Sequence, residues 1–550
     1  WWHLLDASAK IGQRWKLVTF TPDDAGSHTF AVTLKSSGVR YIAATEVGGS
    51  ITGGSISVKE SMLIAGGAFR ACSVTILDHA TVTTSASGLN AFDSCIVENR
   101  GVFAPQSIGL GAVAGQPATV FKNDPLTGVI ELRDGSFVGS TVGGSIESSG
   151  QIIKIAGPGS ATVAGVHLFQ KAAGYVGSQG GTLRLGFPNP TSGLFVCDQP
   201  IVTQAPDAIV EIAGTLSELQ LGCRISGPGT VLLNHAIVSG AIEVENIRIP
   251  SHGVVEGPGD IAVIGLMEMN GGSLLGIVGE TVPTARLLIR SSGTLRFIAN
   301  GNGAVVSRNI ENLGTVLQEM GTGPGHPFGA SATPAFENKT GGTVTLTAAG
   351  GLGARSLNNQ GTVRKIINPD LGSTEALSRG CVNSGLIDVQ TGLLRLVGLT
   401  QTAGEFRVAA GAEVRIQGAG ADFQGGVITG KGLFRSVSSS SPIRCAGIIR
   451  PGADIGGLSL TGGEGSLILS SSTRLEIELG APSDPNGYDQ LILNNTPSVV
   501  ALAGKISLKR SDAFVPVIGQ ALSIVRYTPW RTGTFDEISG LTSIPGILLL

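Results

Sequence analysis

Two pairs of carboxylates are the residues of this sequence with the clearest capacity for chemistry. Asp78 is followed by Asp93, and Asp484 by Asp489, at spacings that one coil of a repeat or one short strand could bring together. Polysaccharide hydrolases and lyases need two or three carboxylates within several ångströms, or a carboxylate-bound calcium beside a Lys or Arg base. Aspartate also favours turns, and no repeated acidic residues frame the first pair. We therefore interpret all four as turn residues.

Other reactive side chains lack the spacing that a site requires. The seven histidines show no H-E-x-x-H or comparable metal-ligand spacing, and they include His79, His167, His235, His252 and His326. No G-x-S-x-G, P-loop or C-x-x-C motif occurs, and Gly301-Asn-Gly303 is interpreted as a turn. The sequence therefore predicts no catalytic, metal-binding or cofactor-binding residue.

The composition indicates many short strands joined by turns. The 550 residues exceed the length at which one globular core stops growing, about 250–300 residues, so the chain forms several domains or a repeat architecture. Charged residues are only 14%, Gly 83 and Pro 25 supply many turns, and the hydrophobic fraction of 42% argues against disorder. We find no sustained apolar periodicity of 3.6 residues, so we expect very little helix.

The charge and hydropathy of the chain limit the kinds of partner that we expect it to have. The net charge is −3, from 37 basic and 40 acidic residues without a basic block, which argues against nucleic acid as a partner. No uninterrupted apolar run reaches about 18 residues, so we expect no transmembrane helix. The chain begins with Trp1 and without a basic-then-apolar leader, so we expect it to be an internal piece of a longer protein.

Residues 16–46 alternate in the period-2 manner of half-buried strands. Asp24-Ala-Gly26-Ser-His28-Thr-Phe30 resembles the D-x-G-x-Y-x-C corner of immunoglobulin-like domains, with His28 in place of the tyrosine and Phe30 in place of the second cysteine. The segment from Phe20 to Leu34 resembles the closing strands of Ig-like repeats in giant bacterial surface proteins. This resemblance implies a partial Ig-like β-sandwich over residues 1–46, followed by a hinge near Glu46 to Gly54.

A repeat of 20 to 26 residues is the most informative pattern. Four segments share an Asn, then a Gly, then the start of an apolar or β-branched strand, and they begin at Asn312, Asn338, Asn359 and Asn383. The steps between these asparagines are 26, 21 and 24 residues. This period suits one rung of a parallel β-helix, whereas leucine-rich repeats need a denser Leu frame. Residues 47–445 are therefore predicted to form a right-handed parallel β-helix.

The residue types fit this fold. Rungs that stack at about 4.8 Å place like residues above like, so inward Val, Ile and Leu form apolar ladders. Asn and Gly tolerate the left-handed φ of corners, and stacked Asn amides can hydrogen-bond from rung to rung.

Two cysteine pairs are spaced by close to one rung. Cys72 and Cys95 are 23 residues apart, and Cys197 and Cys223 are 26 apart. Stacked positions would put their Cα atoms about 5 Å apart, within disulfide range. Either a disulfide or a small apolar ladder of thiols fits, and we favour the thiol ladder. Cys381 and Cys445 have no evident partner in the sequence.

The C-terminal region carries a second ordered pattern. It runs from Gly447-Ile-Ile-Arg-Pro-Gly452 through Gly456-Gly-Leu-Ser-Leu-Thr461 and Gly487-Tyr-Asp-Gln-Leu-Ile492 to Gly533-Thr-Phe535. With the Asn-x-Gly rungs, this order resembles the distal passenger region of autotransporter-type adhesins and related repeat-rich bacterial surface proteins. The resemblance implies that residues 446–550 form the last β-helix rungs and a cap of passenger type.

These observations predict an all-β protein, a parallel β-helix preceded by an Ig-like remnant. The resemblance implies a non-catalytic, extracellular structural or adhesive segment of a bacterial surface or secreted protein, binding a host or matrix surface, with carbohydrate as one ligand class. A polysaccharide-active β-helix enzyme and a phage tailspike-like carbohydrate-binding solenoid remain alternatives. An ice-binding solenoid is disfavoured because Thr forms no regular T-x-T array.

Overall fold

The computed structural model describes residues 50–540 except for a set of short gaps. The gaps are at positions 54, 65–66, 86–89, 140–142, 172, 187–192, 215–216, 278–282, 299–303, 320–333, 348–353, 367–374, 377–379, 438–441, 453, 463–466, 482–483, 495–498, 512–513, 516–518 and 529. The Ig-like remnant predicted at 1–46 lies outside the described residues. The described residues form β-strands and no helix, as the sequence predicted. The chain divides into two compact units, residues 1–261 and 262–550.

The first unit is built from short strands of similar length. Its strands are β1 Ser50–Thr52, β2 Ser55–Val58, β3 Ser61–Ile64, β4 Gly67–Arg70, β5 Ser73–Ile76, β6 Thr81–Thr84, β7 Asn90–Asp93, β8 Ile96–Asn99, β9 Val102–Ala104, β10 Ser107–Gly111, β11 Val120–Asn123, β12 Val129–Leu132, β13 Phe137–Gly139, β14 Ser145–Ser148, β15 Gln151–Lys154, β16 Ser160–Ala164, β17 His167–Gln170, β18 Val176–Ser178, β19 Thr182–Leu185, β20 Phe195–Cys197, β21 Ile201–Thr203, β22 Ile209–Ile212, β23 Ser217–Leu219, β24 Arg224–Ser226, β25 Thr230–Leu233, β26 His235–Val238, β27 Ile242–Ile249 and β28 Val254–Glu256.

The second unit contains longer strands as well as short ones, and its first strand begins at the last residue of the first unit. Its strands are β29 Ile261–Met269, β30 Ser273–Leu274, β31 Arg286–Ile289, β32 Thr294–Ile298, β33 Val305–Val306, β34 Asn309–Asn312, β35 Thr315–Glu319, β36 Ala335–Asn338, β37 Thr343–Leu346, β38 Ser356–Asn359, β39 Thr362–Lys365, β40 Glu375–Ala376, β41 Cys381–Asn383, β42 Leu386–Val389, β43 Leu393–Gln401, β44 Glu405–Val408, β45 Glu413–Phe423, β46 Val427–Gly430, β47 Leu433–Ser436, β48 Ile443–Cys445, β49 Ile448–Pro451, β50 Gly457–Thr461, β51 Leu467–Leu469, β52 Arg474–Ala481, β53 Asp484–Tyr488, β54 Gln490–Asn494, β55 Val500–Leu502, β56 Lys505–Arg510, β57 Val525–Thr528, β58 Arg531–Gly533 and β59 Glu537–Ser539.

Every third strand of the first unit pairs in parallel, so each rung contributes one strand to each of three faces. Face A consists of β1, β4, β7, β10, β13, β16, β19, β22 and β25, ending on β27. Face B runs from β2 to β28 in the same steps. Face C runs from β3 to β24 and also ends on β27. This is the repeating coil that the sequence predicted.

The second unit also stacks its strands in parallel on three faces. Face D contains β31, β34, β36, β38, β41, the later residues of β43 and β45, then β48, β51, β55 and β58. Face E contains β32, β35, β37, β39, β42, β44, β46, β49, β52, β56 and β59. Face F contains β40, the earlier residues of β43 and β45, then β47, β50, β54 and β57.

Alternating side chains divide each strand into an inner and an outer set. In β37, Val344 and Leu346 are buried, while Thr343 and Thr345 face outward and are half-exposed. The next rung repeats the arrangement, because Val344 pairs with Val363. Burial of such side chains contributes about 25 cal/mol per Å² of apolar surface. Period-2 alternation therefore becomes a continuous apolar interior once the rungs are in register.

Three phenylalanines from three different faces meet inside the second unit. Phe406 comes from face E, Phe423 from face D and Phe434 from face F. Their ring centroids are 5.2 to 6.4 Å apart and the rings are edge-to-face. Such pairs add about 0.5–1.5 kcal/mol beyond their buried area. The faces are thus held together across the interior as well as along it.

Asparagine ladders at strand ends confirm the predicted rung-to-rung amide bonds. In the second unit the amide of Asn312 donates to Asn338 at 2.8 Å, Asn338 to Asn359 at 2.7 Å, and Asn359 to Asn383 at 2.7 Å. All four side chains are fully buried. In the first unit Asn99 donates to Asn123 in the same way, at 2.8 Å. Each amide replaces the water that a buried polar group would otherwise require.

The backbone at these asparagines differs from the expectation of left-handed φ. None of the four ladder asparagines of the second unit has a positive φ; glycines take that conformation, including Gly341 at 89° and Gly404 at 71°. At Gly404 a β-carbon would lie 2.0 Å from the carbonyl oxygen of Gly385. The corner therefore selects Asn for its amide and Gly for its backbone, two separate requirements.

The structure confirms an all-β parallel β-solenoid. The handedness and the domain boundaries at residues 46 and 445 stay predictions. None of the described residues forms a helix with the length and hydropathy needed to cross a membrane.

We predict that Asn359→Ala destabilises the second unit by about 2–3 kcal/mol, because it deletes three hydrogen bonds: one that Asn359 accepts from Asn338 and two that it donates to Asn383 and to the carbonyl oxygen of Leu386. The neighbouring Asn358→Ala is the matched control, since Asn358 faces outward on the same strand. Urea midpoints and hydrogen exchange of strands β36 to β42 measure the effect. Equal destabilisation by the two substitutions would contradict a structural role for the ladder.

Candidate functional site

The structure does not bring together Asp78 and Asp93, the first carboxylate pair considered in the sequence. Asp78 lies in the turn after β5, where its Oδ1 accepts a hydrogen bond from Thr127 at 3.3 Å. Asp93 ends β7 and lies 3.6 Å from the guanidinium of Arg70. The two carboxylates occupy opposite ends of the face B strands, because one follows a face B strand and the other precedes one. Sequence spacing of less than one coil placed them at different corners.

Asp489 is a buried carboxylate that fixes the backbone around it. It is 1% exposed; Oδ1 accepts from the N–H of Gly456 at 3.0 Å, and Oδ2 from the N–H of Glu478 at 2.9 Å. Burial raises its pKa to about 6, against the lowering effect of the two N–H donors. The backbone of Asp484 lies in β53, which pairs antiparallel with β52, but its side chain lies outside the described residues. Asp489 is thus assigned a structural role, as a tie between three segments.

Of the histidines that the structure describes, His79, His167 and His252 are exposed and His235 is half-buried. The N–H of Leu194 donates to Nδ1 of His167 at 3.2 Å, and the His167 ring stacks on Phe169 with centroids 6.5 Å apart. His235 Nε2 lies 3.7 Å from Glu256. Among the described residues no group of three or more His, Cys, Asp or Glu side chains is placed to hold a metal ion. His326 lies outside the described residues.

Cys72 and Cys95 stack as the sequence predicted, because they precede the paired residues Ser73 and Ile96. Both are buried thiols without a disulfide. A hydrogen bond between the two thiols lowers the pKa of Cys72 and raises that of Cys95, and burial raises both. The pair therefore loses its first proton more readily than its second.

Cys197 and Cys223 meet differently from the predicted stack. Cys197 ends β20 on face B and pairs with Leu219, whereas Cys223 precedes β24 on face C. Their thiols hydrogen-bond across the corner, and this contact raises the pKa of Cys223 together with burial. Cys381 and Cys445 lie singly in the apolar interior of the second unit, where burial raises the pKa of each to about 12. All six cysteines are thiols without disulfide bonds.

A pair of stacked carboxylates that the sequence analysis missed lies on face D. Glu311 and Glu337 pair in register one rung apart and face outward into a half-open depression of about 200 Å³. Arg286 and Asn309 also line it, and Lys339 contacts Glu337. The volume is below the 300–1,000 Å³ of typical small-molecule pockets. Each glutamate immediately precedes a ladder asparagine, so aligning the repeats on Asn would have revealed the pair.

A second set of aligned side chains lies on face F. Arg395, Arg415 and Arg435 face outward from three successive strands and pair in register, Arg395 with Arg415 and Arg415 with Arg435. Adjacent strands are about 4.8 Å apart, so the three guanidinium groups rise in single-rung steps. We call these three residues the arginine ladder. The recurrence of an apolar residue directly before Arg, in Leu394-Arg395, Val414-Arg415 and Phe434-Arg435, was the available sequence signal.

Comparison with known proteins assigns no function to this chain, so we infer its function from the geometry described above. No family model matches the chain, and no curated protein matches it. The outward side chains of the faces, and among them the Glu311–Glu337 pair and the arginine ladder, are the chemistry that the fold presents to solvent.

We predict that Asp489 makes stability depend on pH between 4 and 7. Its folded pKa of about 6 lies above the unfolded value of about 3.9, so its contribution is fully present below about 3.9 and is lost as pH rises through about 6. Wild type should therefore gain up to about 3 kcal/mol relative to Asp489→Asn between pH 7 and pH 4. Parallel pH profiles of the two urea midpoints would contradict this assignment.

We also predict that the thiols are unreactive until the protein unfolds. All six are buried, so a thiol-specific chromogenic reagent should detect almost none in the native protein and six per chain in denaturant without reductant. Two or four thiols in denaturant would instead indicate that Cys72–Cys95, Cys197–Cys223 or both are oxidised in solution.

Proposed function

We propose that this chain is a non-catalytic structural and adhesive β-solenoid segment of a large bacterial protein that is exported to the cell surface or the extracellular space. The observation that carries the proposal is the in-register stacking of outward side chains on the flat faces of each unit. Such ladders turn single residues into extended stripes, which suit contact with extended surfaces and polymers better than with small molecules.

The inner and outer positions of each strand have different roles, and this difference supports a function in presenting surface side chains to a partner. Inward ladders, such as Val344 over Val363, hold neighbouring rungs together. The outer-side positions on the same strands differ in chemistry: along face E, Thr345 is followed by Arg364, by Asp388, which is buried, and by Arg407. Surface chemistry can therefore change from rung to rung without altering the core, as in other solenoids that serve as binding scaffolds.

The partner we propose is a host or matrix surface, with carbohydrate as the leading ligand class. The outward ladders mix charged side chains with Thr, Asn and Gln, which hydrogen-bond to hydroxyl groups. The resemblance of the Asn-x-Gly rungs and the C-terminal motifs to autotransporter-type passengers supports the same role and the same location. The chain spans parts of two kinds of surface repeat in that interpretation, the Ig-like and the solenoidal.

A polysaccharide-active enzyme is the second candidate, and Glu311 with Glu337 is the observation that favours it. Glycoside hydrolysis uses a pair of carboxyl groups on either side of the scissile bond, and two glutamates one rung apart could supply such a pair. Arg286 and Lys339 beside them would bind an acidic sugar.

Adhesion and catalysis are separable in one experiment with the full chain. Beads coated with the 550-residue protein should adhere to extracellular matrix, and the soluble protein should release neither reducing nor unsaturated sugar ends from a panel of polysaccharides. Glu311→Gln with Glu337→Gln should leave adhesion unchanged. Release of sugar ends that this double substitution abolishes would replace the adhesive proposal with the enzymatic one.

A further inference from the structure

The arginine ladder differs from three outward arginines of face E in how its charges are compensated. On face E, Arg364 lies 3.6 Å from Asp388, Arg407 2.9 Å from Glu405, and Arg450 2.6 Å from Glu476. Each of these three cations is therefore matched by a carboxylate on the same strand or on the adjacent strand of face E.

Among the residues that the structure describes, only the middle arginine of the ladder has such a partner. Glu413 accepts from Arg415 through two bonds of 2.6 and 3.2 Å, and this pairing raises the pKa of Arg415. Arg435 is exposed and makes no ion pair with the described residues. The Nε of Arg395 is buried and has no hydrogen-bond acceptor in the part of the chain that the structure describes. Two of the three stacked cations therefore have no carboxylate partner among the described side chains.

This arrangement is unfavourable for the protein by itself. Like charges placed directly opposite each other on neighbouring strands destabilise a sheet. A buried donor without an acceptor lowers stability further, because it loses its hydrogen bonds to water on folding. An anion placed against the ladder would relieve both effects, because a guanidinium binds carboxylate or sulfate oxygens through parallel hydrogen bonds.

The surroundings of the ladder indicate the kind of anion. Along face F the ladder column continues from Arg435 to Thr461 and then Asn494, whose side chains hydrogen-bond to hydroxyl groups. Gln417 lies two residues from Arg415 on the same outer side of β45. The stripe therefore offers cations first and neutral polar groups next, a pattern that matches a hydroxyl-rich polymer with spaced negative charges.

We propose that face F binds an anionic polysaccharide, with the arginine ladder pairing its carboxylate or sulfate groups and Thr461 and Asn494 contacting its hydroxyls. This inference rests on the proposed adhesive function and names its ligand class. A nucleic acid fits less well, because single-stranded chains bind through aromatic stacking platforms, and the outward side chains of β43, β45 and β47 include no aromatic ring.

The test measures binding of the full chain to four fluorescently labelled probes: polygalacturonate, chondroitin sulfate, neutral dextran and oligodeoxythymidylate. The variants are Arg395→Gln, Arg435→Gln and their combination. Arg444→Gln is the matched control, because Arg444 is an exposed outward arginine on face D. Because Arg435 is exposed and Arg395 lacks an acceptor for its Nε, the urea midpoint should stay unchanged or rise in these variants.

Polygalacturonate, chondroitin sulfate or both should bind, and dextran should not. Each single ladder substitution should weaken binding about five- to tenfold, the double more, and Arg444→Gln less than about twofold. Binding should also fall between about 50 and 200 mM salt. A preference between the two polyanions distinguishes carboxylate from sulfate as the natural group.

Three results would overturn the inference: no binding of either polyanion, equal losses from the ladder variants and Arg444→Gln, or tighter binding of the oligonucleotide. The bead experiment keeps this failure distinct from failure of the adhesive proposal. If adhesion survives the double ladder substitution, the adhesive function holds but the arginine ladder is not its binding site. If the chain binds polyanions but does not adhere, the ladder is a binding site but the adhesive function is wrong.

Discussion

Register between successive rungs is the constraint on which the rest of this structure depends. Parallel strands satisfy their backbone groups only through the rung before and the rung after, and a slip of one residue would turn every inward side chain outward. The buried asparagines reinforce the register from within, since each amide is satisfied only when the next rung presents its own at the same level. The apolar interior determines which side chains of a strand point inward, and the amide ladders determine which residues of successive rungs lie side by side.

At the corners, where strand pairing ends, buried polar side chains form the hydrogen bonds that the backbone still requires. In the first unit the ammonium of Lys154 is fully buried and is satisfied by Asp134 at 2.6 Å and by three backbone carbonyls, which include that of Gly180. In the second unit the buried carboxylate of Asp489 is an acceptor where Lys154 is a donor, and it accepts hydrogen bonds from two backbone N–H groups. Each buried charge is thus used to complete backbone hydrogen bonding that a turn leaves open.

The outer surface is free of this constraint, which is why function is to be sought there. The Glu311–Glu337 pair and the arginine ladder both arise because the register places residues of the same type next to each other in successive rungs. Neither arrangement strengthens the core, and the ladder places like charges together. A fold whose interior tolerates such stripes is suited to presenting them to an extended ligand, and the proposed adhesive function draws on that property.

The sequence by itself determined the local features of this protein: short strands from period-2 alternation, corners from Gly and Asn, the rung period from the Asn-x-Gly spacing, and the stacking of Cys72 on Cys95. It could not determine which residues of different rungs share a corner, because rung length varies by several residues as insertions enter the turns. That variation moved Cys223 off Cys197, which pairs with Leu219 instead. Only the tertiary register, set by packing and hydrogen bonds between rungs, decided which side chains stand in line on the surface.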